Sequence, residues 1–116
     1  MGTEAANRES FHIQAAYCEA MAAPITARVC VALASALDRA SATGRRVLDW
    51  PGEPVADAMV LRLVGGLHAL HRRGVDPALD RVFTGAVTEP GEVEAILRDA
   101  VHTYDAALLP WLDGPP

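Results

Sequence analysis

The sequence predicts an all-α fold, a compact bundle of about five helices with one long central helix over about residues 54–73. Three observations carry this prediction. Apolar residues recur three and four positions apart along most of the chain, which is the spacing of one helix face. Capping residues, glycines and prolines divide these stretches where helices typically begin and end. No stretch alternates apolar and polar residues as a half-buried strand does.

The first two helices are predicted on either side of Pro24. The first is expected to begin after Ser10, whose hydroxyl can cap the free amides of a first turn. Proline is tolerated in a first turn, so Pro24 is expected to open a second helix that runs to about Ser41. The apolar faces are Phe11, Ala15, Cys18 and Ala22 in the first helix, and Ile25, Val29, Leu33, Ala36, Leu37 and Ala40 in the second.

A loop is predicted between Thr43 and Pro54, with room for one helical turn at residues 47–48. The helical spacing breaks there at Gly44 and again at Asp49-Trp50-Pro51-Gly52. The central helix is then expected from about Pro54 to Arg73. Gly74 follows it and supplies the left-handed conformation that closes a helix.

The central helix has three faces, and few of its positions are left for water alone. The core face carries Ala56, Met59, Val60, Leu63, Leu67 and Leu70; a second carries Asp57, Leu61, Val64, His68 and His71; a third carries Arg62, Gly66, Ala69 and Arg73. We therefore expect this helix to have neighbours on at least two sides.

Two more helices are predicted in the C-terminal third. Asp76 and Pro77 form an N-cap and first-turn pair for a short helix to about Phe83. The last helix is expected to begin near Pro90 and to be bent or ended by Pro110. Its apolar face is Val93, Ile96, Leu97, Ala100, Val101, Tyr104 and Leu108.

Composition restricts the possible functions. A chain of 116 residues corresponds to about one domain, too few for a catalytic domain and a partner domain. An apolar fraction of 51% against 22% charged residues excludes a disordered tail. All ten basic residues are arginine, so lysine chemistry is excluded, and the net charge of −5 argues against nucleic-acid binding.

The cysteines and the N-terminus predict a cytoplasmic location. Cys18 and Cys30 lie in apolar stretches, and we expect them to be buried and reduced. Residues 1–10 contain two glutamates, whereas a secretory signal needs a basic start and a continuous apolar core. The longest apolar run, residues 21–31, is interrupted by Pro24 and Arg28, so no membrane-spanning helix and no membrane partner are expected.

Two histidines pose the question of a metal site. His68 and His71 are three residues apart, so both rings could reach one ion. Asp57 lies about three turns, or about 16 Å, before His71 on the same face, so a third ligand would have to come from another helix. The alternative is one core histidine and one surface histidine. We predict no metal in this chain.

Three polar side chains in apolar surroundings are the candidate contacts to a ligand or another domain: Gln14, Arg62 and His68. An arginine on a face of small residues must reach solvent or find a partner, so Arg62 either pairs within the fold or binds a group outside it. Gln14 has the same two alternatives. No serine or cysteine lies in the setting of a nucleophile, so no catalytic residue is predicted.

Two further features concern helix packing and surface. Gly65 and Gly66 lie within a helical pattern and follow no strand, so they favour close approach of two helices rather than a phosphate loop. Trp50 and Trp111 both stand beside a proline. Such a tryptophan either covers the edge of a core or marks a surface that docks on another protein.

Five segments together resemble the N-terminal region of the bacterial domain-of-unknown-function family 2332, over nearly the whole chain. They are Phe11-x-x-Gln14-Ala15-x-x-Cys18, the helix start at Pro24, Asp49-Trp50-Pro51-Gly52, Asp57-Ala58-x-x-Leu61-Arg62-Leu63-x-Gly65-Gly66-Leu67-His68, and Gly74-x-x-Pro77-x-Leu79. The resemblance implies a longer protein that continues into a domain similar to S-adenosylmethionine-dependent methyltransferases.

From this resemblance we expect residues 1–116 to be one helical domain, the N-terminal part of a longer protein. It would cap or gate the ligand cleft of the methyltransferase-like domain and have no catalysis or cofactor of its own, with S-adenosylmethionine bound by the full-length protein. The residues after Trp111 would then form a linker. The alternative is a self-contained interaction module that forms a homodimer through the second face of the central helix.

Overall fold

The computed structural model describes residues 3–113, and these form seven α-helices with no strand among them. The all-α prediction is confirmed, and the expected count of about five helices is wrong. The helices are α1 (Glu4–Ala20), α2 (Pro24–Ala36), α3 (Ala42–Leu48), α4 (Met59–Arg72), α5 (Pro77–Phe83), α6 (Pro90–Thr103) and α7 (Asp105–Asp113).

The first helix begins earlier than expected because Thr3, and not Ser10, caps it. The Thr3 hydroxyl accepts a hydrogen bond from the backbone amide of Ala6 at 3.1 Å. The Ser10 hydroxyl instead donates to the Asn7 carbonyl inside the helix. Pro24 opens α2 as predicted, but α2 ends at Ala36, since Leu37 is extended with ψ of 135°.

The predicted long central helix over residues 54–73 is not present. Residues 54–58 form turns, and α4 has 14 residues, as many as α6 and fewer than the 17 of α1. Ala58 adopts the left-handed conformation with φ of 55°, which separates these turns from the helix. The Asp57 carboxylate accepts a hydrogen bond from the Trp50 indole at 2.9 Å, so the chain folds back here. Gly74 closes α4 as predicted, with φ of 66°.

The predicted last helix is divided in two at Tyr104. Tyr104 leaves helical geometry, with φ of −108° and ψ of 25°, and α7 begins at Asp105. The Asp105 carboxylate accepts hydrogen bonds from the backbone amides of Ala42 and Thr43 at 2.9 and 2.7 Å, which ties this break to the start of α3. Pro110 lies inside α7 and does not end it.

The helices surround one apolar core. α1 and α2 pack as a hairpin, α2 packs on α6, and α7 packs on both α3 and α4. α4 also contacts α1, α2 and α5, so the prediction that it has neighbours on at least two sides is confirmed. Most of its predicted core face is buried: Met59, Val60, Leu63, Leu67 and Leu70. Ala56 lies outside the helix and is exposed.

None of the helices found between Thr3 and Asp113 is long and apolar enough to cross a membrane. The predicted linker after Trp111 is wrong for residues 112 and 113, which belong to α7, and its remaining residues, 114–116, lie outside the described residues.

Candidate functional site

An exposed apolar surface lies where α7 crosses α4. We call it the α4–α7 patch, and its residues are Leu61, Gly65 and His68 of α4 and Trp111 of α7. Leu61, Gly65 and His68 follow one another at four and three residues, so they share one side of the helix. Leu61 and Trp111 each leave 44% of their surface exposed. Single exposed apolar residues are common, but Leu61 shares one side of α4 with Gly65, against which Trp111 packs, so both belong to a surface that a partner can cover.

The glycine pair brings α7 onto α4, as predicted. A Cβ atom at Gly66 would lie 3.0 Å from both Leu108 Cδ2 and Trp111 Cγ, closer than ordinary van der Waals contact. A Cβ atom at Gly65 would lie 3.5 Å from Trp111 Cζ3, an ordinary contact. The Trp111 ring therefore lies over the backbone of α4, and Gly66 is the residue that this closeness requires.

Polar contacts at both ends hold α7 in place. At its start, the Asp105 carboxylate accepts hydrogen bonds from the backbone amides of Ala42 and Thr43 at the beginning of α3. Burial raises the pKa of Asp105, but the hydrogen bonds from Thr43 and Ala42 outweigh burial and hold that pKa below its usual value. At its end, Asp113 pairs with Arg46 of α3. Trp111 is therefore exposed on a helix whose two ends are both fixed to α3.

Arg62 and His68, two of the three candidate contact residues, both lie on α4. The Arg62 Nε atom donates to the Asp57 carbonyl at 3.0 Å, which satisfies an oxygen in the turns before the helix. Its terminal nitrogens make no hydrogen bond within residues 3–113. His68 is exposed, and its ring meets the rings of Phe83 and His71 at centroid distances of 5.4 and 5.6 Å.

Gln14, the third candidate, lies on α1 and makes its contact there, from Nε2 to the Cys18 sulfur at 3.7 Å. No hydrogen bond or ring contact joins any two of Gln14, Arg62 and His68, so the structure does not bring them into one cluster. Their role in contacting a ligand or another domain stays a prediction.

His71 is engaged within the fold. Its Nδ1 atom lies 2.8 Å from Asp80 Oδ1 on α5, and its ring stacks on Phe83 with a centroid distance of 5.4 Å. In the part of the chain from Thr3 to Asp113, no group of three or more His, Cys, Asp or Glu side chains is arranged to hold a metal ion. The contacts of His71 and His68 are those of one packed and one surface histidine.

The cysteines are buried as predicted. Cys18 is 8% exposed and Cys30 is fully buried, and neither forms a disulfide. Burial raises the pKa of the Cys30 thiol to about 12, with a smaller contribution from the neighbouring Cys18. At neutral pH Cys30 is therefore an uncharged apolar side chain.

The sequence analysis did not identify Asn7 of α1 as a structurally important polar residue. Asn7 is fully buried, and its Nδ2 atom donates to the Leu48 carbonyl at 2.9 Å, which anchors the loop after α3 to α1. Its Oδ1 atom is buried without a hydrogen-bond partner. The sequence shows that Asn7 is polar, but the prediction that α1 begins after Ser10 places Asn7 outside any helix.

Comparison with known proteins gives one match. The family described as an uncharacterized protein conserved in bacteria, DUF2332, matches residues 8–116. No curated protein and no solved structure matches the chain. The match begins within α1 and covers every later helix, so it confirms the resemblance found in the sequence motifs. The chain belongs to the bacterial domain-of-unknown-function family 2332.

Proposed function

We propose that this chain is a helical accessory domain that packs against a second domain of the same protein through the α4–α7 patch and caps or gates a ligand cleft there. The observation that supports it is the exposed pair Trp111 and Leu61, each 44% exposed beside the glycine pair. A large aromatic ring on an anchored helix gives up little conformational freedom when a partner covers it. This is the kind of residue that carries binding energy at interfaces.

Two polar residues of α4, His68 within the patch and Arg62 outside it, suit a gating role. His68 lies one turn beyond Gly65 and is exposed, and Arg62 uses only its Nε atom in a hydrogen bond among residues 3–113. A planar guanidinium binds carboxylate or phosphate groups with two parallel hydrogen bonds. In the proposed assembly Arg62 and His68 would contact an anionic or polar group at the edge of the cleft, with Gln14 contributing from α1.

The second domain is proposed, from the family resemblance, to be methyltransferase-like and to bind S-adenosylmethionine. Residues 3–113 contain no strand followed by a glycine-rich turn, so they offer no cradle of the usual kind for that cofactor. The contribution of the helical domain would be to cover the cleft and exclude water from it. No catalytic step is assigned to its residues.

The test begins with the gene beyond the codon for Pro116. The region that follows is expressed as a separate protein, and its binding to residues 1–116 is measured by calorimetry. The variant Leu61→Asp places a charge in the patch and is expected to weaken binding at least about a hundredfold, because a buried unpaired carboxylate is costly. Val31→Asp on α2 is the matched control, since Val31 is 47% exposed and lies outside the patch. Absence of a following region, or equal binding by Leu61→Asp and wild type, would contradict the proposal.

A homodimer is the second candidate, and the same patch favours it because a two-fold interface needs one self-complementary surface. Sedimentation equilibrium of residues 1–116 separates the two candidates. A dimer that Leu61→Asp converts to a monomer, and that Val31→Asp leaves intact, would assign the patch to self-association. If residues 1–116 are a monomer at every concentration, the homodimer is excluded and the patch is assigned to contact with the second domain.

A further inference from the structure

A groove of about 640 Å³ lies between α1 and the loop that joins α3 to α4. It shares no residue with the α4–α7 patch. Its volume falls in the range of sites that hold small ligands, about 300–1,000 Å³. Its walls are mainly apolar, and Ile13 of α1 lines it together with Val55 and the two prolines of the loop. Ile13 and Val55 are 40% and 46% exposed, so apolar surface remains for a ligand to cover.

The polar side chains that line this groove provide hydrogen-bond acceptors and few hydrogen-bond donors. Asn7 lines the groove, and its amide orientation is set because Nδ2 donates to the carbonyls of Leu48 and Trp50 at 2.9 and 3.5 Å. Its Oδ1 atom is left buried and unpaired. Ser10 also lines the groove, and its hydroxyl proton is used on the Asn7 carbonyl. Because Oδ1 is buried, a donor that enters the groove pairs with it only after the side chains around Asn7 move aside.

The groove also carries negative charge. Glu9 and Glu53 line it, both are exposed, and neither forms an ion pair with a basic side chain in the described part of the chain. Among the residues from Thr3 to Asp113, no arginine or histidine lines this groove. Unpaired carboxylates beside apolar walls raise the local concentration of cations.

We propose that this groove binds an organic cation, an ammonium or guanidinium group on a short apolar chain. The apolar part packs between Ile13 and Val55, the charge lies at Glu9 and Glu53, and the N–H groups donate to these carboxylates and to Asn7 Oδ1. An anion of the same shape meets two negative charges and an unpaired acceptor, so it is excluded. A free amine and the basic side chain of a peptide share this chemistry.

The test is an NMR titration of the full chain with three compounds of equal chain length: hexylammonium, hexanol and hexanoate. Hexylammonium is expected to bind with an affinity on the order of millimolar and to shift the amide signals of Asn7, Ser10 and Val55. Hexanoate is expected not to bind. An acetylated and amidated Leu-Lys-Leu peptide is the second source, and tighter binding by it than by hexylammonium would identify a peptide side chain as the ligand.

The double variant Glu9→Gln/Glu53→Gln removes both charges without changing shape, and it is expected to weaken hexylammonium binding about tenfold. The control is Glu19→Gln/Asp99→Asn, which makes the same change in net charge at two exposed positions outside the groove. It is expected to change the affinity less than about twofold. Equal binding of hexanoate, shifts confined to other helices, or an unchanged affinity in the groove variant would each overturn the proposal.

Discussion

Trp50 and Trp111 both stand beside a proline at the end of a helical segment, yet the structure uses them in opposite ways. Trp50 is 7% exposed and Trp111 is 44% exposed. The Trp50 indole N–H donates to Asp57 at 2.9 Å, and the Arg46 guanidinium lies over its ring at 5.1 Å from the centroid. The Trp111 indole makes no hydrogen bond within residues 3–113. One ring is enclosed by this chain alone, and the other has one face on α4 and one face open.

The difference shows that local sequence does not decide the role of such a tryptophan. Trp50 is followed by a turn that returns Asp57 to its N–H, so its polar atom is satisfied inside the fold. Trp111 follows Pro110 inside α7 and is directed onto a glycine pair that offers no side chain to enclose it. Trp50 therefore contributes to stability, and Trp111 is the better candidate for recognition.

The largest expected effect is the loss of stability on truncating Trp50. Trp50→Ala is expected to lower the free energy of unfolding by about 3–5 kcal/mol, because a buried indole and its hydrogen bond to Asp57 are both removed. Trp111→Ala is expected to cost about 2 kcal/mol, since 44% of its surface is already in water. Urea unfolding of the two variants measures both values. Equal losses would contradict the division of roles between these two residues.

A second prediction tests whether α7 is anchored independently of Trp111. Asp105→Asn is expected to cost about 1–2 kcal/mol at pH 7, because it replaces a carboxylate that accepts two amides at the start of α3. The pKa of Asp105 is held below its unfolded value, so its contribution is complete above about pH 4 and is lost as the pH falls through the folded pKa.

The measurement for Asp105 is the free energy of unfolding from pH 2 to pH 8. The difference between wild type and Asp105→Asn should be constant above about pH 5 and shrink below about pH 4. Asp99→Asn is the control, since Asp99 is exposed and makes no hydrogen bond among the described residues. If the difference in unfolding free energy does not change with pH, the shape of the Asp105 side chain, and not its charge, holds α7 on α3.

The fold was largely predictable because helical spacing and capping are local signals. Pro24, Asp76, Pro77 and Pro90 begin helices as predicted, and Gly74 closes α4. The errors lie where a distant contact overrides the local pattern. The apolar spacing of the last two helices is continuous, and the break at Tyr104 coincides with tertiary contacts, the bonds of Asp105 to α3 and of the Tyr104 hydroxyl to the Val75 carbonyl.

The candidate sites were less predictable for the same reason. That Gly65 and Gly66 let two helices approach was visible in the sequence, but which helix would approach was not. The groove depends on Asn7 meeting the carbonyls of Leu48 and Trp50, more than forty positions along the chain. A pairing at that separation leaves no periodicity to detect, so Asn7 resembles any polar residue near an N-terminus.

A third prediction separates the two glycines beneath Trp111. Gly65→Ala is expected to stabilise the chain by about 0.5–1 kcal/mol, because alanine favours a helix and its Cβ has ordinary room at 3.5 Å from Trp111. At Gly66 the same gain is opposed by contacts of 3.0 Å with Leu108 and Trp111, so Gly66→Ala is expected to be neutral or slightly destabilising. Thermal unfolding measures both. Equal stabilisation would show that α7 can move away from α4, and the anchored position of Trp111 would then be wrong.

Small effects on stability are also expected at Arg62 and His68, and these test whether the two residues serve the fold or a partner. His68→Ala removes an exposed ring whose aromatic neighbours are Phe83 and His71, so its cost should be below about 0.5 kcal/mol. Arg62→Ala loses one hydrogen bond to the Asp57 carbonyl, worth about 1 kcal/mol.

The control for both variants is His71→Ala, which removes the contact with Asp80 at 2.8 Å and the stacking on Phe83, and which should cost more than either. In the full-length protein, the accessory-domain proposal expects Arg62→Ala and His68→Ala to weaken ligand binding while the domain stays folded. If either change unfolds residues 1–116, that residue is structural, and recognition would have to rest on the apolar contacts of Leu61 and Trp111 alone.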